Sequence, residues 1–97
     1  MFNKFIINSG HIKIAKAEQH RHLAENHNST KGGGWWHICN KTKVILLYRE
    51  SMEFGAALRE DLRQLVIAGR HNYPGYTFVH SYSVELQDAL QNAVELK

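Results

Sequence analysis

Residues that can bind an anion are concentrated between Gly32 and Gly55, a stretch that reads GGGWWHICNKTKVILLYRESMEFG. Its last part, Arg49 to Gly55, is a short loop that holds a hydroxyl and a glycine between a strand pattern and a helix pattern. Such loops direct consecutive backbone N–H groups at one point, and the helix that follows adds partial positive charge. We therefore expect this loop to hold a phosphoryl group on which a histidine from elsewhere acts.

Three histidines close together, His20, His22 and His27, are the candidates for that chemistry. A histidine that acts on a phosphoryl group must be partly exposed, neutral near pH 7 and directed at the phosphate. Spacing alone does not choose among the three. As zinc ligands they lack a cysteine or a clear carboxylate to complete a set, and on a helix His22 points away from the other two. We therefore expect no metal and no other cofactor.

The three consecutive glycines, Gly32 to Gly34, do not form a P-loop. That motif places a lysine after its glycines and follows a strand, whereas Lys31 precedes them and strand patterns follow. Two interpretations stay open for them: a flexible turn, or a place where the backbone approaches a ligand. The loop from Ser51 to Gly55 also has a simpler interpretation, as an ordinary strand-to-helix connection with Phe54 filling the core.

Hydrophobic periodicity predicts the elements that must position these residues. Strands are predicted over Phe2–Asn8, His11–Lys16, Gly34–Cys39, Lys43–Tyr48 and Thr77–Ser81, and helices over Ala17–His27, Ala56–Ala68 and Val84–Leu96. The residues 28–32 are predicted as a loop, and Ser83 as the cap of a last helix whose Leu86, Leu90 and Val94 face inward. This order favours one α/β domain over 1–97, a mixed β-sheet with helices packed on its faces.

Composition limits the setting in which the chain works. Its 97 residues leave room for one core, and Cys39 is the only cysteine, which favours a reducing cytoplasm. No apolar run approaches the ~18 residues that a membrane span requires. The net charge of +3 comes from scattered residues, which suits phosphorylated ligands better than nucleic acid. We therefore expect neither a membrane nor a nucleic-acid partner.

The motifs around the glycines resemble those of one known family. Gly32-Gly33-Gly34, then Tyr48, then Ser51-Met52-x-Phe54-Gly55-x-Ala57 is similar to the protein histidine phosphatase (Janus/Ocnus) family, and Pro74-x-Tyr76 and Lys4 fit as well. The resemblance runs from Lys4 to about Ser81 and is tightest between Gly32 and Ala57. It implies a metal-independent phosphatase acting on phosphohistidine, with a catalytic histidine on the first helix.

The resemblance also implies a role for individual residues. His22 is the nearest counterpart of the catalytic histidine, with His20 as the runner-up. Lys4 would contact or orient the phosphoryl group, and Ser51 and Glu53 would supply loop N–H groups. The full phosphate-binding set that it implies is Lys4, Lys16, Ser51, Met52, Glu53, Phe54 and Gly55. The implied partner is a phosphohistidine-bearing protein or a small phosphorylated substrate.

Two departures from the family pattern keep a second class of function open. Trp35 stands where eukaryotic members have an arginine, and Glu53 puts a carboxylate into the phosphate loop. Both favour a non-catalytic module that binds phosphate or a phosphoprotein without turnover. A third interpretation, an RNA-associated protein using Trp35 and Trp36, is disfavoured by the dispersed charge.

Overall fold

A six-stranded mixed sheet forms the frame of the protein in a computed structural model that describes residues 2–8, 11–17, 30–51, 54–69 and 73–96. The strand order is β2-β1-β3-β4-β5-β6, and every pair is antiparallel except β4 with β5. The elements are β1 (Phe2–Asn8), β2 (His11–Ala17), β3 (Thr30–Cys39), β4 (Val44–Tyr48), α1 (Arg59–Gly69), β5 (Thr77–His80), α2 (Leu86–Asn92) and β6 (Val94–Glu95). The predicted α/β class with a mixed sheet is confirmed.

Strand β4 lies inside the sheet, between β3 and β5, as its continuous apolar run predicts. Ile45 and Leu47 belong to the larger core cluster, whereas Leu46 and Tyr48 belong to a second cluster. Alternate side chains of a strand point to opposite faces, so the sheet is covered on both sides. The prediction of a central, buried strand over these residues is confirmed.

One helix packs on each face. Leu62 and Val66 of α1 join the larger cluster, which also contains Phe5 and Ile7 of β1. Ala89 of α2 joins the second cluster on the other face. The two neighbouring tryptophans of β3 follow the same division, since Trp36 packs against the larger cluster and Trp35 against the second.

The C-terminal segment corrects the prediction of one long helix over Val84–Leu96. Helix α2 ends at Asn92, and Ala93 turns extended so that β6 pairs with β5. Leu96 then reaches the core at 2% exposure, while Leu90 and Val94, predicted to face inward, are 46% and 42% exposed. The free edge of β5 and the burial of Leu96 together outweigh helix propensity here.

The N-cap residue of α2 is Glu85, without a side-chain cap bond, and not the predicted Ser83.

Other boundaries also differ from the predictions. Helix α1 begins at Arg59, three residues after the predicted start at Ala56, and β3 begins at Thr30 in what was predicted as a loop. Ala17, predicted as the first residue of a helix, is the last residue of β2. The remainder of that predicted helix, 18–27, lies outside the described residues.

Candidate functional site

The carboxyl ends of β4 and β5 meet at one edge of the sheet because these two strands are parallel. Open α/β sheets bind ligands at such an edge. The loop that leads from β4 to α1 begins there, and so does the segment that follows β5. Two backbone hydrogen bonds join them: Ser81 N donates to Leu47 O at 3.1 Å, and Arg49 N donates to Ser83 O at 3.2 Å.

The predicted phosphate loop lies at this edge and is closed on itself. Ser51, 2% exposed, donates its N–H to Gly33 O and Gly55 O, and Gly55 donates its N–H to Ser51 O. Phe54 N donates to the hydroxyl oxygen of Ser51 at 3.1 Å. The three described amides of the loop therefore have partners within the chain in this conformation. Met52 and Glu53 lie outside the described residues, and phosphate binding by the loop stays a prediction.

The glycine triplet attaches the loop to the sheet. It belongs to β3, and Gly33 forms a parallel bridge with Ala56. A Cβ on Gly34 would lie 2.5 Å from the carbonyl oxygen of Tyr48 and 2.9 Å from that of Arg49. Glycine is required there because the chain approaches its own backbone. The triplet is not a flexible turn, and the close approach that the structure gives it is to the loop.

Two cations meet on one aromatic ring beside the loop. Lys4 of β1 and Trp35 of β3 are register partners, and the Lys4 Nζ lies 5.6 Å from the centre of the Trp35 ring. Arg49 follows Tyr48, the partner of Trp35 in β4, and its Cζ lies 4.3 Å from the same ring. Burial and then the charge of Arg49 lower the pKa of Lys4. We call Lys4, Trp35 and Arg49 the cationic cluster.

The backbone of Arg49 is unusual. Its φ is 64°, in the left-handed region that residues other than glycine rarely adopt. The hydrogen bond from its N–H to Ser83 O holds this conformation. Ser83 is itself fixed, since its hydroxyl accepts from Asn92 Nδ2 at 2.7 Å and its N–H donates to the Ser81 hydroxyl.

The other predicted site residues are only partly within the described chain. Lys16 is the register partner of Asn3 in β1, one position from Lys4, and its side chain is not described. The histidines His20, His22 and His27 lie outside the described residues. The structure thus brings Lys4 close to Trp35 and the predicted loop to β3, and it does not test the choice of catalytic histidine.

A second cluster at this edge was not predicted from the sequence. His80, 1% exposed, ends β5, and its Nδ1 accepts a hydrogen bond from Arg59 Nε at 3.1 Å. Burial and then the charge of Arg59 lower the pKa of His80 to about 4. Tyr82 completes the group: its ring meets that of His80 edge to face, and its hydroxyl accepts the N–H of Arg59 at the start of α1. The alternation of Phe78 and His80 is a signal that could have placed this histidine on the same face as Phe78, but nothing in the sequence indicates Arg59 as its partner.

Metal and membrane features were sought in the same residues. No three His, Cys, Asp or Glu side chains of the described segments form a group that could hold a metal ion. None of the described helices has the length and apolar character needed to cross a membrane.

Comparisons of the chain with protein-family models, with curated proteins and with solved structures find no match. The fold and its basic side chains define a general class of protein, an α/β domain with basic residues near the carboxyl ends of its parallel strands. Any statement about activity rests on the residues themselves.

Proposed function

We propose that the protein is a metal-independent phosphohistidine phosphatase whose phosphoryl site lies at the carboxyl end of β4. One observation carries the proposal. Three sequence features far apart in the chain, Lys4, the glycine triplet and the Ser51–Gly55 loop, come together through the pairing of β1, β3 and the loop. Positive charge beside a short loop that leads into a helix suits an anionic ligand such as a phosphoryl group.

The chemistry assigns one role to each group. A neutral imidazole, that of His22 or of the runner-up His20, acts in one of two ways. Either it attacks phosphorus while the bond to the leaving group breaks, and water then hydrolyses the transient phosphohistidine to release phosphate, or it removes a proton from the water that displaces the leaving group directly. Lys4 and the loop stabilise the charge on the phosphoryl oxygens, to which one well-placed donor contributes about 3–4 kcal/mol in other enzymes. Lys16, Met52, Glu53, Phe54 and Gly55 are proposed to complete the phosphate-binding set.

Hydrolysis of a phosphohistidine peptide or of phosphoramidate by the purified protein, with a chelator present, tests the proposal. We expect turnover that the chelator leaves unchanged. His22→Ala should remove most of it, and His20→Ala serves as the matched control because it removes a neighbouring imidazole. Loss in His20→Ala alone would make His20 the catalytic residue. Full activity in both variants, or no turnover by the wild type, would refute the phosphatase.

The second candidate function is a module that binds phosphate or a phosphoprotein without turnover. The observation that favours it is that the described loop amides of Ser51, Phe54 and Gly55 already donate within the chain. Fewer donors then remain for the additional charge that develops during a reaction, whereas binding of phosphate without turnover can rest on the charge of Lys4. Saturable binding of inorganic phosphate together with no hydrolysis of either substrate would decide for this module.

The setting follows from the same proposal. The partner is a phosphohistidine-bearing protein or a small phosphorylated substrate, encountered in the cytoplasm, and neither nucleic acid nor a membrane takes part. The single cysteine and the scattered positive charge support this part of the proposal.

A further inference from the structure

We propose that Arg49 is the residue that binds the phosphoryl oxygens directly and that Trp35 is the platform that orients it. This inference deepens the proposed function and rests on it. The ligand is a tetrahedral oxyanion with two negative charges, such as a phosphoryl group. Arg49 is the first residue of the predicted loop from Arg49 to Gly55, but the family resemblance gives it no role, and only the fold brings it to Lys4.

The first argument is geometric. A guanidinium that lies flat on an indole keeps its N–H groups at the rim of the ring, where they can donate to a ligand beside it. The Arg49 Cζ is 4.3 Å from the Trp35 ring centre, within the range of such stacking. Planar N–H pairs fit two oxygens of a phosphoryl group at once. Contact with Trp35 limits the positions that the Arg49 guanidinium can take.

The second argument is electrostatic. Lys4 Nζ approaches the same ring, so that two positive charges are held near each other. The charge of Arg49 contributes to the lowered pKa of Lys4, which means that the two cations repel each other. An anion bound near the pair would reduce that repulsion. A ligand with two negative charges matches the pair.

The third argument concerns the backbone. Arg49 adopts a φ of 64°, and glycine would occupy this conformation with less strain. Strain of this kind is often found at functional positions, where a side chain is needed that the backbone disfavours. Lys43, at the tip of the hairpin between β3 and β4, offers the matched comparison. Its φ is 58°, and its Nζ lies 5.1 Å from the centre of the Tyr76 ring. Lys43 is separated from the cationic cluster by the length of β4.

The experiment compares Arg49→Gly with Lys43→Gly. Each change removes one positive charge, one cation–aromatic contact and one strained φ, so that the two variants differ in location and in the type of cation lost. Calorimetric titration with inorganic phosphate should show at least about ten-fold weaker binding for Arg49→Gly, the loss of one charge-assisted pair of hydrogen bonds. Lys43→Gly should bind as the wild type does. Arg49→Lys should bind with intermediate affinity, because it restores charge without the planar fork.

Urea unfolding separates a binding role from a structural one. Arg49→Gly should unfold at a urea concentration no lower than that of the wild type, since glycine relieves the strain at this position. Equal weakening of phosphate binding in Arg49→Gly and Lys43→Gly would refute the inference, because charge alone would then explain it. Unchanged phosphate binding in Arg49→Gly would also refute it.

The hydrolysis assay distinguishes failure of this inference from failure of the proposed function. If the wild type hydrolyses phosphoramidate and Arg49→Gly does so equally well, the role of Arg49 is refuted and the phosphatase activity is supported. If the wild type binds phosphate through Arg49 but hydrolyses nothing, the binding role of Arg49 is supported and the phosphatase activity is refuted. If it neither binds nor hydrolyses, both are refuted.

Discussion

Acid should destabilise the fold through His80, because this histidine is buried in its neutral form. Arg59 Nε can only donate, so the Nδ1 that accepts from it carries no proton. The histidine pKa is 6.5 when unperturbed and about 4 here. Above pH 6.5 the side chain is neutral in the folded and the unfolded chain, and it contributes no pH dependence.

Between pH 6.5 and pH 4 the unfolded chain takes up a proton at this residue that the folded chain does not. The free energy of unfolding therefore falls as the pH falls through this range and levels off below the folded pKa. The difference in pKa is about 2.5, and each unit corresponds to about 1.4 kcal/mol. We expect a loss of about 3 kcal/mol from this one group, a large part of the ~5–15 kcal/mol by which small domains are stable.

The assay is urea unfolding of the wild type and of His80→Gln at several pH values from neutral to acid. Glutamine keeps an acceptor for Arg59 Nε and cannot be protonated in this range. The carboxylates and the other histidines contribute equally to both proteins where they are distant from the change, so the difference between the two curves isolates His80. On acidification, the free energy of unfolding of the wild type should therefore fall by about 3 kcal/mol more than that of His80→Gln. A difference independent of pH would refute a buried neutral His80.

Three further predictions concern packing and protection. Gly34→Ala should lower the free energy of unfolding by about 3 kcal/mol or more, because its Cβ would meet the Tyr48 carbonyl oxygen at 2.5 Å. Gly75→Ala has nothing within 4 Å and should lose only about 1–2 kcal/mol to its left-handed backbone, and equal losses in the two variants would refute the steric argument. Leu62→Ala should cost about 2–5 kcal/mol in the same urea assay, and a loss below 1 kcal/mol would contradict its burial. Amides of β4 should exchange slowest in hydrogen exchange, and fast exchange throughout Val44–Tyr48 would contradict a central strand.

Sequence patterns predicted the elements whose own spacing of apolar residues shows which side is buried. The run Val44–Tyr48 and the alternation around Phe78 were sufficient to place β4 and β5, because a period of two or a continuous apolar run reflects burial directly. Strand order was not predictable, because such a pattern identifies faces and not neighbours. Strand β6 was missed because two residues carry no period, and its partner, β5, determines it.

The candidate site was predictable only where a motif is local. The loop at Ser51 could be recognised from its own residues, but its contact with Gly33 could not, because backbone hydrogen bonds between distant segments leave no residue pattern. Lys4 was associated with the site through a family resemblance. The meeting of Lys4 and Arg49 on Trp35 depends on the register of three strands, which no local pattern specifies.

The proposed ligand would account for the positive charge at the carboxyl end of β4. Arg49 is in a conformation that glycine would occupy with less strain, at a cost of about 1 kcal/mol, and it lies near enough to Lys4 to lower the pKa of that amine. A positive φ alone is not evidence of function, since Lys43 has one at an ordinary hairpin tip. Arg49, however, combines three features: a strained backbone, the nearby charge of Lys4 and contact with the Trp35 ring. It also lies at the start of the loop that the sequence predicts to bind phosphate. Sequences depart from local optimality in several respects at once mainly where function requires it, and an oxyanion would offset the charge that the fold brings together there.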